Sequence, residues 1–240
     1  YKNWERKELP MHLPDHINAK IITWSPEKTK KKQEELDQLF ELTDDLTIFL
    51  VNVEAFSSKR GKDIANAFVK SHITLLAVDE STTIKSKSAS RTKSLIKLAK
   101  EARYRRILTG SPVTQSPMDL FTQCEFLEPE CLGHSSFWTF QNRYARMVRR
   151  SLGAHSFNQI VGYQNLDELN TLLNPFSYRV RKEDCLDLPD KVYTKRAVEL
   201  SVEQRNVYQQ LRNNALALLQ DGGMVTAPTA LTEILRLQQV

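Results

Sequence analysis

The sequence has 240 residues, 40% of them apolar and 26% charged, an ordinary globular composition with enough apolar material for a sizeable core. Lys and Arg outnumber Asp and Glu by 34 to 29, and the net charge of +5 permits a nucleic-acid partner without demanding one. Seven glycines, under half the usual frequency of about 7%, exclude flexible-linker and collagen-like chains and leave few positions for a glycine-rich phosphate loop.

In chain order, a brief strand is expected over residues 20–23. Ser25 and Pro26 read as N-cap and first position of a helix that carries Leu36, Leu39 and Phe40 on one face. Residues 46–53 form a second, nearly continuous apolar strand, and 64–69 a short helix with Ile64, Ala67 and Phe68 at helical spacing. A third strand follows over 73–78, a helix over 92–102 and a fourth strand over 106–108. Continuous apolar strands separated by helices indicate an α/β fold with a parallel sheet covered on both faces. Such sheets gather ligands at the carboxyl ends of their strands.

From about residue 115 helices take over. One spans 117–126 and presents Leu120, Phe121, Cys124 and Leu127; another spans 137–150, with Phe137, Phe140, Tyr144 and Val148 in one stripe. A shorter helix over 166–173 closes at Asn174 and Pro175. A strand is expected over 192–200. Ser201 and Gln204 then have capping-box spacing and open a helix that buries Tyr208, Leu211 and Leu218 and ends at Asp221-Gly222-Gly223.

Cys124, Cys131 and Cys185 are odd in number and form no CxxC pair, which fits a reducing intracellular setting and neither a disulfide scaffold nor a tetrathiolate zinc site. His12 and His16 stand at i, i+4, but Pro14 breaks the helix that a shared metal would need. No apolar run approaches the roughly 18 residues of a membrane span, and no signal peptide opens the chain. The chain starts at Tyr1 and stops inside a helical run over 232–240, so it reads as a window of a longer sequence.

Asp79 and Glu80 follow the third strand directly. Two carboxylates at a parallel-strand terminus suit a hydrated Mg²⁺ and an attacking water, Asp79 holding the metal directly or through water and Glu80 taking the proton. The bland alternative is a loop start or a helix cap. The expected companion is a phosphate loop, G-x-x-x-x-G-K-[ST], and Gly61-Lys62-Asp63 fails that pattern. Phe56 stands at the first glycine position and Asp63 at the hydroxyl position. The fourth strand leads into Thr109-Gly110-Ser111-Pro112, by itself a turn in which Gly110 supplies a positive φ.

Basic residues cluster in three places. Lys85, Lys87, Arg91 and Lys93 follow the acidic pair and suit either phosphate contact or a solvated surface. Arg143, Arg146 and Arg150 lie opposite the aromatic stripe of the 137–150 helix, where solvation is favoured over duplex contact. Lys28, Lys30, Lys31 and Lys32 crowd a helix N-terminus, where the macrodipole disfavours cations.

In combination these motifs become specific. Downstream of Asp79-Glu80, Ile107-Leu108-Thr109-Gly110-Ser111-Pro112 resembles motif III of superfamily-two helicases in its Swi/Snf form. Asp79-Glu80-Ser81-Thr82-Thr83-Ile84-Lys85 resembles that family's Asp-Glu-Ala-His-x-Ile-Lys motif II, with Ser and Thr in place of Ala and His. Gln115, Asp119-Leu120-Phe121 and Phe126-Leu127-Glu128-Pro129 are similar to the segment after motif III. Further blocks match in order: Arg179-Val180-Arg181-Lys182, Leu188-Pro189-Asp190-Lys191, then Leu200 to Tyr208 and the start of a helix from Leu231. Asn3-Trp4-Glu5 resembles the Trp-containing segment just after motif Ia.

The resemblance implies a RecA-like (P-loop NTPase) parallel sheet flanked by helices, plus a helical insertion and the start of a second RecA-like lobe. Residues 1–130 would be a partial first lobe, 131–190 the helical protrusion and 191–240 the opening of lobe two. It implies an ATP-driven translocase on double-stranded DNA, with ATP and Mg²⁺ as cofactors and nucleoprotein as a further candidate substrate. Asp79 would position Mg²⁺ through water, Glu80 would activate the attacking water, and Thr109, Gly110 and Ser111 would couple nucleotide state to the nucleic-acid groove. Thr82 in place of His removes a polar link between motifs II and III. The phosphate loop is expected upstream of Tyr1, and the 240 residues alone are expected to be inactive. Two other readings stay open: a non-catalytic nucleic-acid-binding or scaffolding module that retains the fold, and a metal-dependent nuclease, for which a third carboxylate at a strand end is missing.

Overall fold

The computed structural model describes residues 2–41, 43–152, 155–185, 187, 189 and 192–220. The chain divides into two units, Tyr1–Arg179 and Val180–Val240.

The first unit opens with a wide π-type turn, Trp4–Glu8, that runs into the short helix α1 (Leu9–His12). Leu13 is extended, so Pro14 separates His12 from His16 as expected. Strand β1 (Ala19–Thr23) pairs in parallel with β2 (Leu46–Leu50). Between them lies α2 (Lys30–Asp37), which starts later than the sequence suggests. Ser25 Oγ accepts the Glu27 N–H at 3.3 Å in a local turn, and Thr29 caps the helix instead, accepting the Lys32 N–H. The lysines at this end are compensated within the helix, Lys32 by Glu35 at 2.5 Å and Lys30 by Glu34 at 3.9 Å. Leu36 and Leu39 are buried, but Phe40 is 42% exposed.

Strand β2 ends at Leu50, because residues Val53–Ser57 turn into a 3₁₀ segment that buries Ala55 and Phe56. Helix α3 (Lys59–Ser71) is twice the expected length: Ser58 accepts the Gly61 N–H at 3.1 Å and starts it early. Its buried face is Gly61, Ala65, Phe68 and Val69, which leaves Ala67 exposed. Strand β3 (Leu75–Asp79), helix α4 (Ser90–Ala99) and strand β4 (Tyr104–Leu108) form the second parallel unit.

Among the described residues the parallel strands make two separate pairs, β1 with β2 and β3 with β4. The expected two-sided cover is not observed there. Leu76, Val78 and Ile107 face the core, whereas Leu75, Tyr104 and Leu108, at alternate positions, are 56%, 55% and 46% exposed. Period-two alternation sends these side chains to the opposite face. A continuous apolar run therefore does not by itself tell a two-sided strand from a one-sided one.

Helix α5 (Leu120–Leu127) follows a 3₁₀ turn, Pro117–Asp119, capped by Ser116. It joins two cores. Phe126 packs with Phe56, Val78, Ile84, Leu95 and Leu98. Leu120, Phe121 and Cys124 pack with Phe140, Tyr144 and Leu169. A third core holds Ile22, Trp24, Leu36, Leu39 and Phe68.

The expected helix over 137–150 is half right. Helix α6 (Phe137–Tyr144) is present, but β5 (Ala145–Leu152) and β6 (His155–Tyr163) then form an antiparallel ladder. Arg146 and Arg150 lie on a strand, and Val148 is 42% exposed instead of continuing the stripe. Helix α7 (Leu166–Leu173) and a 3₁₀ turn, Asn174–Phe176, end the unit.

In the second unit, α8 (Lys182–Cys185) is followed by residues 192–200 without the expected strand. Helix α9 (Val202–Gln220) starts with a full capping box: Ser201 N–H donates to Gln204 Oε1 at 3.1 Å and Gln204 N–H to Ser201 Oγ at 3.2 Å. Tyr208 and Leu211 are half-buried rather than buried. The Leu218 side chain, residues 221–223 and the helix expected from Leu231 lie outside the described residues. Among the described residues no helix is long and apolar enough to cross a membrane, and the three cysteines are free thiols.

Candidate functional site

Asp79 is the last residue of β3 and stands in register with Leu108, the last residue of β4. Because neighbouring strands lie about 4.8 Å apart, the acidic pair and loop 109–111 leave one sheet edge side by side. This is the carboxyl-terminal edge at which parallel sheets bind ligands.

Asp79 and Glu80 are both exposed. Asp79 Oδ2 accepts the Trp4 indole N–H at 2.7 Å, and Oδ1 accepts the Glu80 backbone N–H at 3.0 Å. Glu80 has a left-handed backbone, φ 50° and ψ 59°, an unusual state for a residue with a Cβ. It precedes the 3₁₀ turn Ser81–Ile84, yet its side chain makes no capping bond to that turn. The helix-cap alternative therefore fails for Glu80, and its carboxylate is not spent on local structure.

Loop 109–115 is built from short-range bonds. Thr109 Oγ1 accepts the Ser111 N–H at 3.2 Å, and Ser111 Oγ donates to the Val113 carbonyl at 2.9 Å. Gly110 is not in the positive-φ region, against the sequence expectation, and a Cβ there would meet nothing within 4 Å. Asp119 Oδ2 gathers the far end of the loop, accepting the Thr114 and Gln115 N–H groups at 3.0 Å each and the Thr114 hydroxyl at 2.9 Å. Burial by itself raises the Asp119 pKa, but these donors and the Lys85 charge outweigh it and hold the carboxyl below its usual value.

Two side chains tie the acidic segment to this loop. Lys85 hydrogen-bonds Thr114 Oγ1 and lies 3.7 Å from Asp119 Oδ2. Ser81 is fully buried and donates to Gln123 Oε1 at 2.6 Å. Gln123, equally buried on α5, donates through Nε2 to the Pro112 and Asp119 carbonyls at 2.8 and 2.7 Å.

The remaining basic residues go to different partners. Lys87 Nζ sits 3.7 Å from the Phe137 ring centroid and 5.4 Å from that of Trp138. Arg91, half-buried at the start of α4, keeps its Nε buried without a hydrogen-bond partner among the described residues, and Lys93 is exposed. Arg143 is exposed to solvent, as favoured from the sequence, and also pairs with Glu168.

Trp4, Gln123 and Asp119 were not among the sequence-derived site residues. The signal for Gln123 was present: one amide inside the apolar run Leu120–Leu127 must find buried partners. Trp4 lies in the Asn3-Trp4-Glu5 segment noted above, but nothing local signals its partner Asp79, 75 positions away.

Among the described residues no cluster of three or more His, Cys, Asp or Glu stands ready to hold a metal by itself. The pair fits Mg²⁺ nonetheless, since that ion takes one or two carboxylates and completes its shell with water and phosphate oxygens. Each Asp79 oxygen accepts a single hydrogen bond and retains capacity for a water-bridged cation. A phosphate cradle is a different matter. Gly61 is buried at the start of α3, where a Cβ would stand 2.4 Å from the Ala55 carbonyl oxygen, so it serves packing.

A family model described as the SNF2-related domain matches residues 1–240. The chain belongs to the SNF2-related domain family. It is 31% identical over 183 residues to the DNA annealing helicase and endonuclease ZRANB3 of Homo sapiens, covering 74% of this chain and 16% of that protein. It is likewise 31% identical over 140 residues to the chromatin-remodeling ATPase INO80 of Candida albicans, covering 58% of this chain and 10% of that protein. The chain thus spans a small fraction of the length of these SNF2 relatives.

Proposed function

We propose that this chain is the part of an ATP-dependent, Swi/Snf-type DNA translocase that carries the water-activating carboxylate and the coupling loop. The observation that carries the reading is the shared edge of β3 and β4, which brings Asp79-Glu80 and loop 109–111 together. Family membership supports it, as do the names of the relatives, one a DNA annealing helicase and the other a chromatin-remodeling ATPase.

In this reading residues 1–130 belong to a first RecA-like lobe, 131–190 to a protrusion and 191–240 to the start of a second lobe. Asp79 holds Mg²⁺ through water, and the ion supplies charge neutralisation for the nucleotide phosphates. Glu80, exposed and uncommitted to capping, takes the proton of the attacking water. Thr109, Gly110 and Ser111 pass the state of the nucleotide to double-stranded DNA, or to nucleoprotein. Of the basic cluster Lys85, Lys87, Arg91 and Lys93, the exposed Lys93 is the member left for phosphate contact, whereas Lys85 is bound to Thr114 and Asp119 and Lys87 lies over the Phe137 ring. A positioned general base contributes about 10²–10⁴ in rate. Glu80→Gln in the full-length protein is therefore expected to lower DNA-stimulated ATP hydrolysis by about that factor. An unchanged rate would overturn the assignment.

A further inference from the structure

Every polar atom of the Gln123 amide is engaged, and its partners come from both functional segments. Oε1 accepts from Ser81, the residue after Glu80; Nε2 donates one hydrogen to Pro112, the residue after Ser111, and the other to Asp119. Both Ser81 and Gln123 have zero exposure, so no water competes for these bonds. A leucine would fill a similar volume in the apolar helix α5, but only an amide plane is directional at both ends. If the Pro112 carbonyl moves, Nε2 must follow, and Oε1 then shifts against the Ser81 hydroxyl.

Thr82, which stands where the Swi/Snf motif II has His, makes no side-chain hydrogen bond among the described residues. A polar path between the two segments is present all the same, one residue earlier and through α5. We propose that Gln123 is a positioning residue that couples the Asp79-Glu80 segment to loop 109–111, taking over a link that Thr82 does not make. This rests on the translocase reading above.

The test uses the full-length protein, with ATP hydrolysis measured with and without duplex DNA over a range of ATP concentrations. Gln123→Leu is expected to lower the ratio of DNA-stimulated to DNA-free kcat by at least about fivefold, with the KM for ATP held within about twofold. Ser81→Ala, a smaller change that tests the same bond if Gln123→Leu folds poorly, should lower the ratio in the same direction. The double variant should be no worse than Gln123→Leu, because both remove one path. A ratio unchanged in both single variants overturns the proposal. So does a parallel fall of both rates with the melting temperature, the signature of a merely structural residue. Glu80→Gln separates the two layers. If wild-type hydrolysis is stimulated by DNA and Glu80→Gln abolishes it, yet Gln123→Leu keeps the ratio, only the Gln123 role falls. If wild-type protein shows no DNA-stimulated hydrolysis, the translocase reading falls and takes the Gln123 role with it.

Discussion

Glu80 and Gly61 show two opposite uses of special backbone positions. Glu80 holds a left-handed conformation although it has a Cβ, at a cost of order 1–3 kcal/mol, and it does so where the acidic pair leaves the sheet. Gly61 has ordinary helical geometry and is required for space. Its missing Cβ admits the Ala55 carbonyl, which also accepts the Ser58 hydroxyl at 2.8 Å. Alanine gains about 1 kcal/mol of helix propensity over glycine, but here it would push against backbone. Gly61→Ala is therefore expected to destabilise the protein by about 1–3 kcal/mol, read as a lower urea midpoint with unchanged slope. The Gly-Lys pair could be rejected as a phosphate loop from sequence, because Phe56 and Asp63 are the wrong residues. What Gly61 does instead required the neighbouring turn.

Elements were legible where periodicity and capping agreed. Helices α4, α5 and α7 fall close to their expected spans, and the Ser201-Gln204 box starts α9 with both reciprocal bonds. The 137–150 segment shows the limit. Its apolar residues satisfy a helical stripe as far as Val148, yet Ala145 onward pairs with a strand rich in Phe157, Ile160, Val161 and Tyr163. That partner begins beyond the local window, and cross-strand pairing overrides local propensity. The true helix, α6, anchors its end in the second core through Phe140 and Tyr144, both fully buried. Tyr144 also donates to Glu168 at 2.9 Å, and burial together with that bond raises its pKa to about 12. Phe140 touches Phe121, His134 and Tyr144 rings, so Phe140→Ala should cost about 3–5 kcal/mol, measured by chemical denaturation.

At the scale of the whole molecule, three apolar cores lie within Tyr1–Arg179, and α5 belongs to two of them while its Gln123 joins Ser81, next to the acidic pair, to Pro112 at the end of the neighbouring loop. Gly61, the one glycine followed by a lysine, serves packing and not a phosphate cradle, so in the translocase reading the 240-residue chain by itself is expected to show no DNA-stimulated ATP hydrolysis; measurable turnover by the purified chain would contradict this. The sequence by itself determined the family, the acidic pair and the loop motif, because these are residue types at fixed spacing along one chain. Tertiary structure decided which strands pair, that β3 and β4 expose one face, and that Ala145 onward is a hairpin. It also decided that Trp4 meets Asp79 and Ser81 meets Gln123. Those are contacts between positions far apart in the chain, which exist only once folding has brought them together, and burial then makes the Ser81–Gln123 bond costly to break.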